Sequence, residues 1–230
     1  MATFVIVHGA WSGGWAWGDV ARALRAAGHE AFTPTLSGLG ERVHLASPAI
    51  DLDTHVLDVV NLLRYERLER VVLVGHSYGG MVISGVAERV PEWIDRLVYL
   101  DAFVPRDGES AEAIAGPGLA GAINEAARIH GDGWWVPFLG EPIDPERATV
   151  MPLGPLRSPI TLRDAGARRL LRTFFRFTAK PPDDPQAPIF DAMAARVKAE
   201  DGWTYREVAF DHSPQFTRPR EVAQLLLEVV

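Results

Sequence analysis

Four apolar residues in a row, Val71-Val72-Leu73-Val74, lead directly into Gly75-His76-Ser77-Tyr78-Gly79-Gly80, and a stretch with helical spacing, Met81 to Val90, follows until Pro91. A strand without polar alternation is one covered on both faces, as in a parallel sheet flanked by helices. G-x-S-x-G between such a strand and a helix describes a sharp turn. It holds the serine in a strained backbone conformation and thrusts its hydroxyl beyond the sheet edge. Side chains two residues before and two after the serine would strike neighbouring backbone, which accounts for Gly75 and Gly79. The helix then aims its N-terminus at the site, where free N–H groups and the dipole favour developing negative charge. G-x-S-x-G alone is a weak pattern and can be a mere glycine-rich turn. In this setting it marks Ser77 as a candidate nucleophile.

The same rhythm runs along the chain. Phe4 to Val7 reads as a buried strand ending at His8-Gly9. Gly18 to Ala27 has Val20, Leu24 and Ala27 on one helical face, and Gly28 stops it. Glu30 to Thr33 is a strand ended by Pro34, and Leu52 to Leu63 is a helix with Asp53 or Thr54 near its start. Arg96 to Leu100, Arg172 to Thr178 and Thr204 to Phe210 read as further strands, and Arg220 to Val230 as a closing helix. This alternation predicts an α/β fold with a mostly parallel central sheet and helices on both faces. The length of 230 residues, with 47% hydrophobic and 23% charged, suits a single domain. The rhythm breaks from about residue 105 to 168, a stretch rich in Gly, Pro and Ala where Trp134, Trp135 and Phe138 stand close together. Clustered aromatics need something to pack against, so this segment is expected as a small inserted cap over the C-terminal edge of the sheet.

Composition narrows the chemistry. Without cysteine there is no disulfide framework, thiolate nucleophile or Cys-ligated metal. The net charge of −7 is scattered and lacks the basic face that nucleic acid requires. No apolar run approaches the ~20 residues of a membrane span. Thr3 to Val7 already reads as a strand rather than a leader, so a cytoplasmic protein is expected, with homodimerisation left open.

Three further elements complete the candidate site. An acyl-transfer site needs two preorganised N–H donors for its oxyanion. Tyr78, after the nucleophile, supplies one backbone N–H, and Ala10 in the loop His8-Gly9-Ala10-Trp11 is the natural second. A dinucleotide loop is the rival reading of that glycine-rich segment. The spacing of Gly9, Gly13 and Gly14 is not G-x-G-x-x-G, and no acidic residue closes the next strand. The base is expected to be His212, which follows the last strand in Phe210-Asp211-His212-Ser213-Pro214. His8 and His76 flank the two loops as supports, while His29, His44, His55 and His130 read as surface or packing residues. The acid should lie on the loop after Arg172 to Thr178, where Asp183 is the first choice and Asp184 the second. Asp101, ending the strand Arg96 to Leu100, competes with both, and Asp191 and Asp211 are remoter choices. Candidate substrate-lining residues are Trp11, Tyr78, Trp134, Trp135 and Phe138, with ordinary core packing as the alternative for each.

Four segments, FVIVHGAWSGGWAW from Phe4, PTLSGLGE from Pro34, VVLVGHSYGG from Val71 and VYLDAFVP from Val98, resemble the plant methylesterase and hydroxynitrile lyase branch of the α/β-hydrolases and its bacterial esterase relatives. The resemblance covers the core at both ends of the chain but not the cap. It implies the α/β-hydrolase fold, an esterase acting on a small hydrophobic or aromatic ester, and no metal or organic cofactor. It also supports Ala10 and Tyr78 as oxyanion donors and puts the acid near residue 183 or 184. The lyases of this branch carry Thr after the His-Gly and Lys after the catalytic His. Ala10 and Ser213 stand there in this chain, which disfavours cyanohydrin cleavage. The expected function is therefore a serine hydrolase of small carboxylic esters. The alternatives are a same-fold lyase, lactonase or cyclase of secondary metabolism, or a non-catalytic ligand-binding module, the last opposed by the intact Ser77 and His212.

Overall fold

The computed structural model describes residues 1–181 and 183–230. In chain order its elements are β1 (Thr3–Val7), α1 (Gly18–Ala26), β2 (Glu30–Phe32), α2 (Leu52–Tyr65), β3 (Val71–His76), α3 (Gly79–Arg89), β4 (Ile94–Leu100) and α4 (Ala111–His130). There follow β5 (Trp135–Val136), β6 (Met151–Pro152), α5 (Gly154–Arg157), β7 (Leu171–Phe177), α6 (Ala187–Lys198), β8 (Trp203–Val208), α7 (Pro214–Thr217) and α8 (Pro219–Leu227). Six strands form one sheet in the order β2-β1-β3-β4-β7-β8, every pair of them parallel.

Alternation along each strand sorts side chains to the two faces. Phe4 and Ile6 of β1, with Val72 and Val74 of β3, enter a core with α1 and α8 residues such as Leu24 and Leu226. Val5 and Val7, with Leu73, enter the opposite core with Val59, Ile83 and Phe190 from α2, α3 and α6. All of β3 is buried, as a two-sided central strand requires. α2 begins at Leu52, where the sequence puts its start, and runs on to Tyr65. Asp51 is the cap, accepting from Thr54 N at 2.8 Å, and the Thr54 hydroxyl closes a reciprocal capping box. Such a cap contributes about 1 kcal/mol. The closing helix expected at Arg220 to Val230 is α8, and the short α7 precedes it. Pro219 disfavours helical backbone at Arg218, whose φ is −137°.

The strand order reverses between β1 and β3, because the chain runs from β1 out to β2 and then returns to the other side of β1. In open α/β sheets the crevice beyond the strand ends at such a point is where ligands bind. The segment expected as a cap holds α4, the two-stranded antiparallel β5–β6 and α5. Within α4, Gly116 adopts φ 76° ahead of Pro117 and breaks the helix in two. No helix among the described residues is long and apolar enough to cross a membrane.

Candidate active site

The turn from β3 to α3 is built by what its glycines exclude. A Cβ at Gly75 would stand 2.7 Å from Gly79 O, and one at Gly79 would stand 2.5 Å from Val7 O. One at Gly80 would strike Phe103 O. Strand and helix cross too closely for side chains there, and Ser77 between them takes a left-handed φ of 54°. That conformation strains an L residue. Hydrogen bonds to neighbouring backbone hold it, with Ser77 N donating to Leu100 O at 3.3 Å and Ser77 O accepting from Phe103 N at 3.0 Å.

Beside this turn lies the loop after β1. Its Gly9 approaches so near that a Cβ there would meet Ser77 Cβ at 3.0 Å. Ala10 and Tyr78 line the same cavity as Ser77. Among the described residues neither backbone N–H has an acceptor. The Tyr78 side chain is anchored in the core. It is buried, with its hydroxyl 2.9 Å from His55 Nδ1, while His55 Nε2 lies 2.9 Å from Ser37 O. A carbonyl only accepts, so Nε2 carries the proton and the tyrosine donates to Nδ1. Burial lowers His55 to about 4, in keeping with a neutral ring.

His212, between β8 and α7, lines the cavity with Ser77. Its ring packs between His76 at 4.8 Å and Phe190 at 4.6 Å between centroids. His76 Nε2 donates to the His212 carbonyl at 2.7 Å, and burial, followed by the nearby His212, lowers His76 to about 3. Among the described residues no hydrogen bond closes between the Ser77 hydroxyl and His212. Such bonds are often long in ligand-free sites and tighten around substrate.

The acid position departs from the first expectation. The carboxylate on His212 belongs to Asp101, at the end of β4, with Oδ2 2.7 Å from Nδ1. Asp183 is exposed, and Asp184 instead accepts from Gln186 N at 2.8 Å in the turn before α6. From the loop after β7 the side chain that reaches inward is Lys180, whose Nζ lies 2.5 Å from the same Asp101 Oδ2. Asp101 is fully buried. Its Oδ1 accepts from Arg176 Nη1 at 2.8 Å and Phe177 N at 3.3 Å. Burial alone would raise its pKa. The hydrogen bond and charge of His212, with the charge of Lys180, overcome that and bring the carboxyl down to about 2. Of the remoter choices, Asp191 pairs with Arg176 at 2.6 Å and Asp211 accepts from Ser213 N at 2.7 Å.

The cavity over these groups has a volume of about 170 Å³. Trp11 and Phe138 line it and meet edge to face at 5.7 Å. Trp11 is fixed by its indole N–H donating to Val136 O at 3.1 Å. Trp134 and Trp135 do not line it, which corrects the expectation for both. In β5 successive side chains face opposite ways, and the fully buried Val136 takes the inward position next to a half-buried Trp135. Trp134 O is occupied by Leu153 N at 2.8 Å. Lining residues that the sequence did not single out include Phe103, Leu119, Ile123, Leu156, Gln215 and Phe216. Helical spacing would have flagged Leu119 and Ile123 as one face, but not which cavity it borders. Among the described residues no three His, Cys, Asp or Glu side chains gather in a metal-holding group.

A strained serine on a strand-to-helix turn, an Asp-supported histidine and a parallel sheet are features of one family. A family model described as the alpha/beta hydrolase family matches residues 4–225, and the chain belongs to that family. A carbendazim hydrolyzing esterase from a Nocardioides species is 56% identical over 114 residues, half of this chain and 47% of that protein, so the match spans about half the relative's length. A putative chloroplastic methylesterase of Arabidopsis thaliana is 26% identical over 251 residues, covering 98% of this chain and 71% of its own. An extracellular α/β-hydrolase from a Paenibacillus species shares the fold with a TM-score of 0.83 at 23% identity, over 99% of this chain and 98% of that one.

Proposed function

We propose that the protein is a serine esterase that cleaves small carboxylic esters by two acyl transfers through an acyl-Ser77 intermediate. One observation carries this reading. His212 gives its Nδ1 to the buried Asp101, which leaves Nε2 as the basic nitrogen in the cavity that also holds Ser77, Ala10 and Tyr78. Nε2 takes the Ser77 proton as Oγ attacks the ester carbonyl. The oxyanion accepts from the N–H groups of Ala10 and Tyr78, each donor worth about 2.7–4 kcal/mol in the transition state. The C–O bond to the alcohol breaks, and the alcohol leaves with the proton from Nε2. Water, deprotonated by the same nitrogen, attacks the acyl-serine, the acyl C–Oγ bond breaks, and Nε2 returns the proton to Ser77 Oγ as the acid leaves. Asp101 keeps the imidazole in the required tautomer and stabilises its cation. Trp11, Phe138 and Phe216 give the cavity apolar walls, which favour a hydrophobic or aromatic ester. The relatives named as esterases support the same reaction class.

The test is hydrolysis of p-nitrophenyl acetate and butyrate together with labelling by a serine-reactive phosphonate. The wild type turns over and carries one label on Ser77, while Ser77→Ala does neither. Turnover retained by Ser77→Ala, or a label on another residue, refutes the reading.

A further inference from the structure

Asp101 faces more positive charge than a histidine's acid partner needs. Arg176 already occupies Oδ1, yet Lys180 brings a second cation to Oδ2, the oxygen that His212 uses. The Lys180 side chain is only 5% exposed, and burying an ammonium is costly. Its Nζ stands 4.1 Å over the centre of the Phe190 ring, which itself packs on the His212 imidazole. The ammonium is close to Oδ2 but not aligned as a hydrogen-bond donor, so the contact is Coulombic and leaves the aligned position to His212.

We infer that Lys180 is a positioning residue of the proposed reaction, its ammonium competing with the protonated His212 ring for Asp101 Oδ2 and so setting the lower end of the pH range in which His212 acts as base. The inference rests on the reading of Ser77, His212 and Asp101 given above. The groups around His212 leave Lys180 as the adjustable charge. Asp101 comes from β4 and His76 from β3, the latter kept neutral by burial. Arg176 of β7 is shared between Asp101 and Asp191 of α6. Asp211 is engaged with the Ser213 N–H, and Asp184 with the Gln186 N–H. Burial lowers the Lys180 pKa while Asp101 works against that, so the proton on Nζ depends on the same carboxylate. Lys180 Nζ and His212 Nδ1 touch one oxygen, which puts them within about 5 Å of each other. A unit charge at that distance, with an effective dielectric of about 20, moves a titration by the order of two pH units. A cation near the ring disfavours its protonated form, so losing that cation shifts the acid limb of activity upward.

The experiment is the pH profile of kcat/KM for p-nitrophenyl butyrate in wild type, Lys180→Met and Lys180→Arg. The acid limb is expected to move up by about two units in Lys180→Met and to stay within a few tenths in Lys180→Arg, which keeps the charge. If Lys180→Met does not fold, Lys180→Gln replaces it. The pH at which the downfield His212 Nδ1–H proton resonance titrates in Lys180→Gln then reads the same shift without turnover. An unmoved limb with only the amplitude changed, or a limb moved equally in the Met and Arg variants, overturns the inference. Phosphonate labelling separates the two failures. With Ser77 labelled and the limb unmoved, only the role of Lys180 falls, whereas a label elsewhere removes the reading beneath it.

Discussion

Replacing Asp101 with Asn keeps the shape of a fully buried side chain and removes its charge. At the base the loss has two parts. The carboxylate oxygen is 2.7 Å from His212 Nδ1, so the charge centres are roughly 4 Å apart. With an effective dielectric of about 20 their attraction is about 4 kcal/mol in the state where the imidazole carries the serine proton, or about 10³-fold in rate. The amide can also turn its NH₂ toward Nδ1, which then accepts, so the proton sits on Nε2 and the base is blocked. Loss of tautomer control in a serine triad brings the fall to about 10⁴-fold in kcat. A stability cost accompanies it, because Arg176 and Lys180 lose a buried counter-charge, and breaking a buried pair costs about 3–5 kcal/mol. Ester hydrolysis is therefore measured well below the melting transition, with circular dichroism confirming the fold. Asp183→Asn and Asp184→Asn, assayed alongside, should stay within threefold or so of wild type, since a surface carboxylate without a reacting partner carries little of the barrier. A folded Asp101→Asn within tenfold of wild type, or a thousandfold loss in Asp183→Asn, would refute the assignment.

Gly79→Ala puts a methyl 2.5 Å from Val7 O and 2.8 Å from His8 O, both backbone. A loss of about 3 kcal/mol by thermal melt and little turnover are expected, and a stable, active variant would contradict so tight a crossing. Trp11→Ala and Phe138→Ala should raise KM for an aromatic ester several-fold, while Trp134→Ala and Trp135→Ala should leave it nearly unchanged, because only the first pair lines the cavity. Stability should fall on acidification in two stages. His8 and His55 are held at about 4 and His76 at about 3, against an ordinary 6.5, each chiefly by burial. With the folded values depressed, the unfolded chain takes up protons first. That stabilisation is complete above about pH 6.5 and drains away toward pH 4. Asp101, at about 2 instead of 3.8, adds a further loss between those values. A urea midpoint equal at pH 7 and pH 5 would contradict the histidine stage.

Much of the fold is legible in order along the chain. Val71 to Val74 has no polar alternation and turns out buried on both faces, and the glycines around Ser77 mark a turn too tight for side chains. Errors gather at element ends. α2 runs on to Tyr65 rather than stopping at Leu63, and the closing helix ends at Leu227 rather than Val230. At the candidate site, Ser77, Ala10, Tyr78 and His212 were readable because each lies just after a strand, and the structure brings all four to one cavity. The acid was not, since Asp101, Asp183 and Asp184 all follow a strand of the same edge, and the choice depends on which side chain turns inward.

Local periodicity and backbone sterics act over a few residues, and so the sequence by itself determined the strands, the helices, the strained serine and the loops beside it. Longer-range packing decided the rest. It brought Asp101 against a histidine 111 positions away and drew Lys180 rather than Asp183 into the interior. It also turned Trp134 and Trp135 away from the cavity that Trp11 and Phe138 line. Which of several plausible carboxylates loses its water, and which cations are buried with it, is settled by the surroundings that all the strands create together, and no short window of residues contains that information.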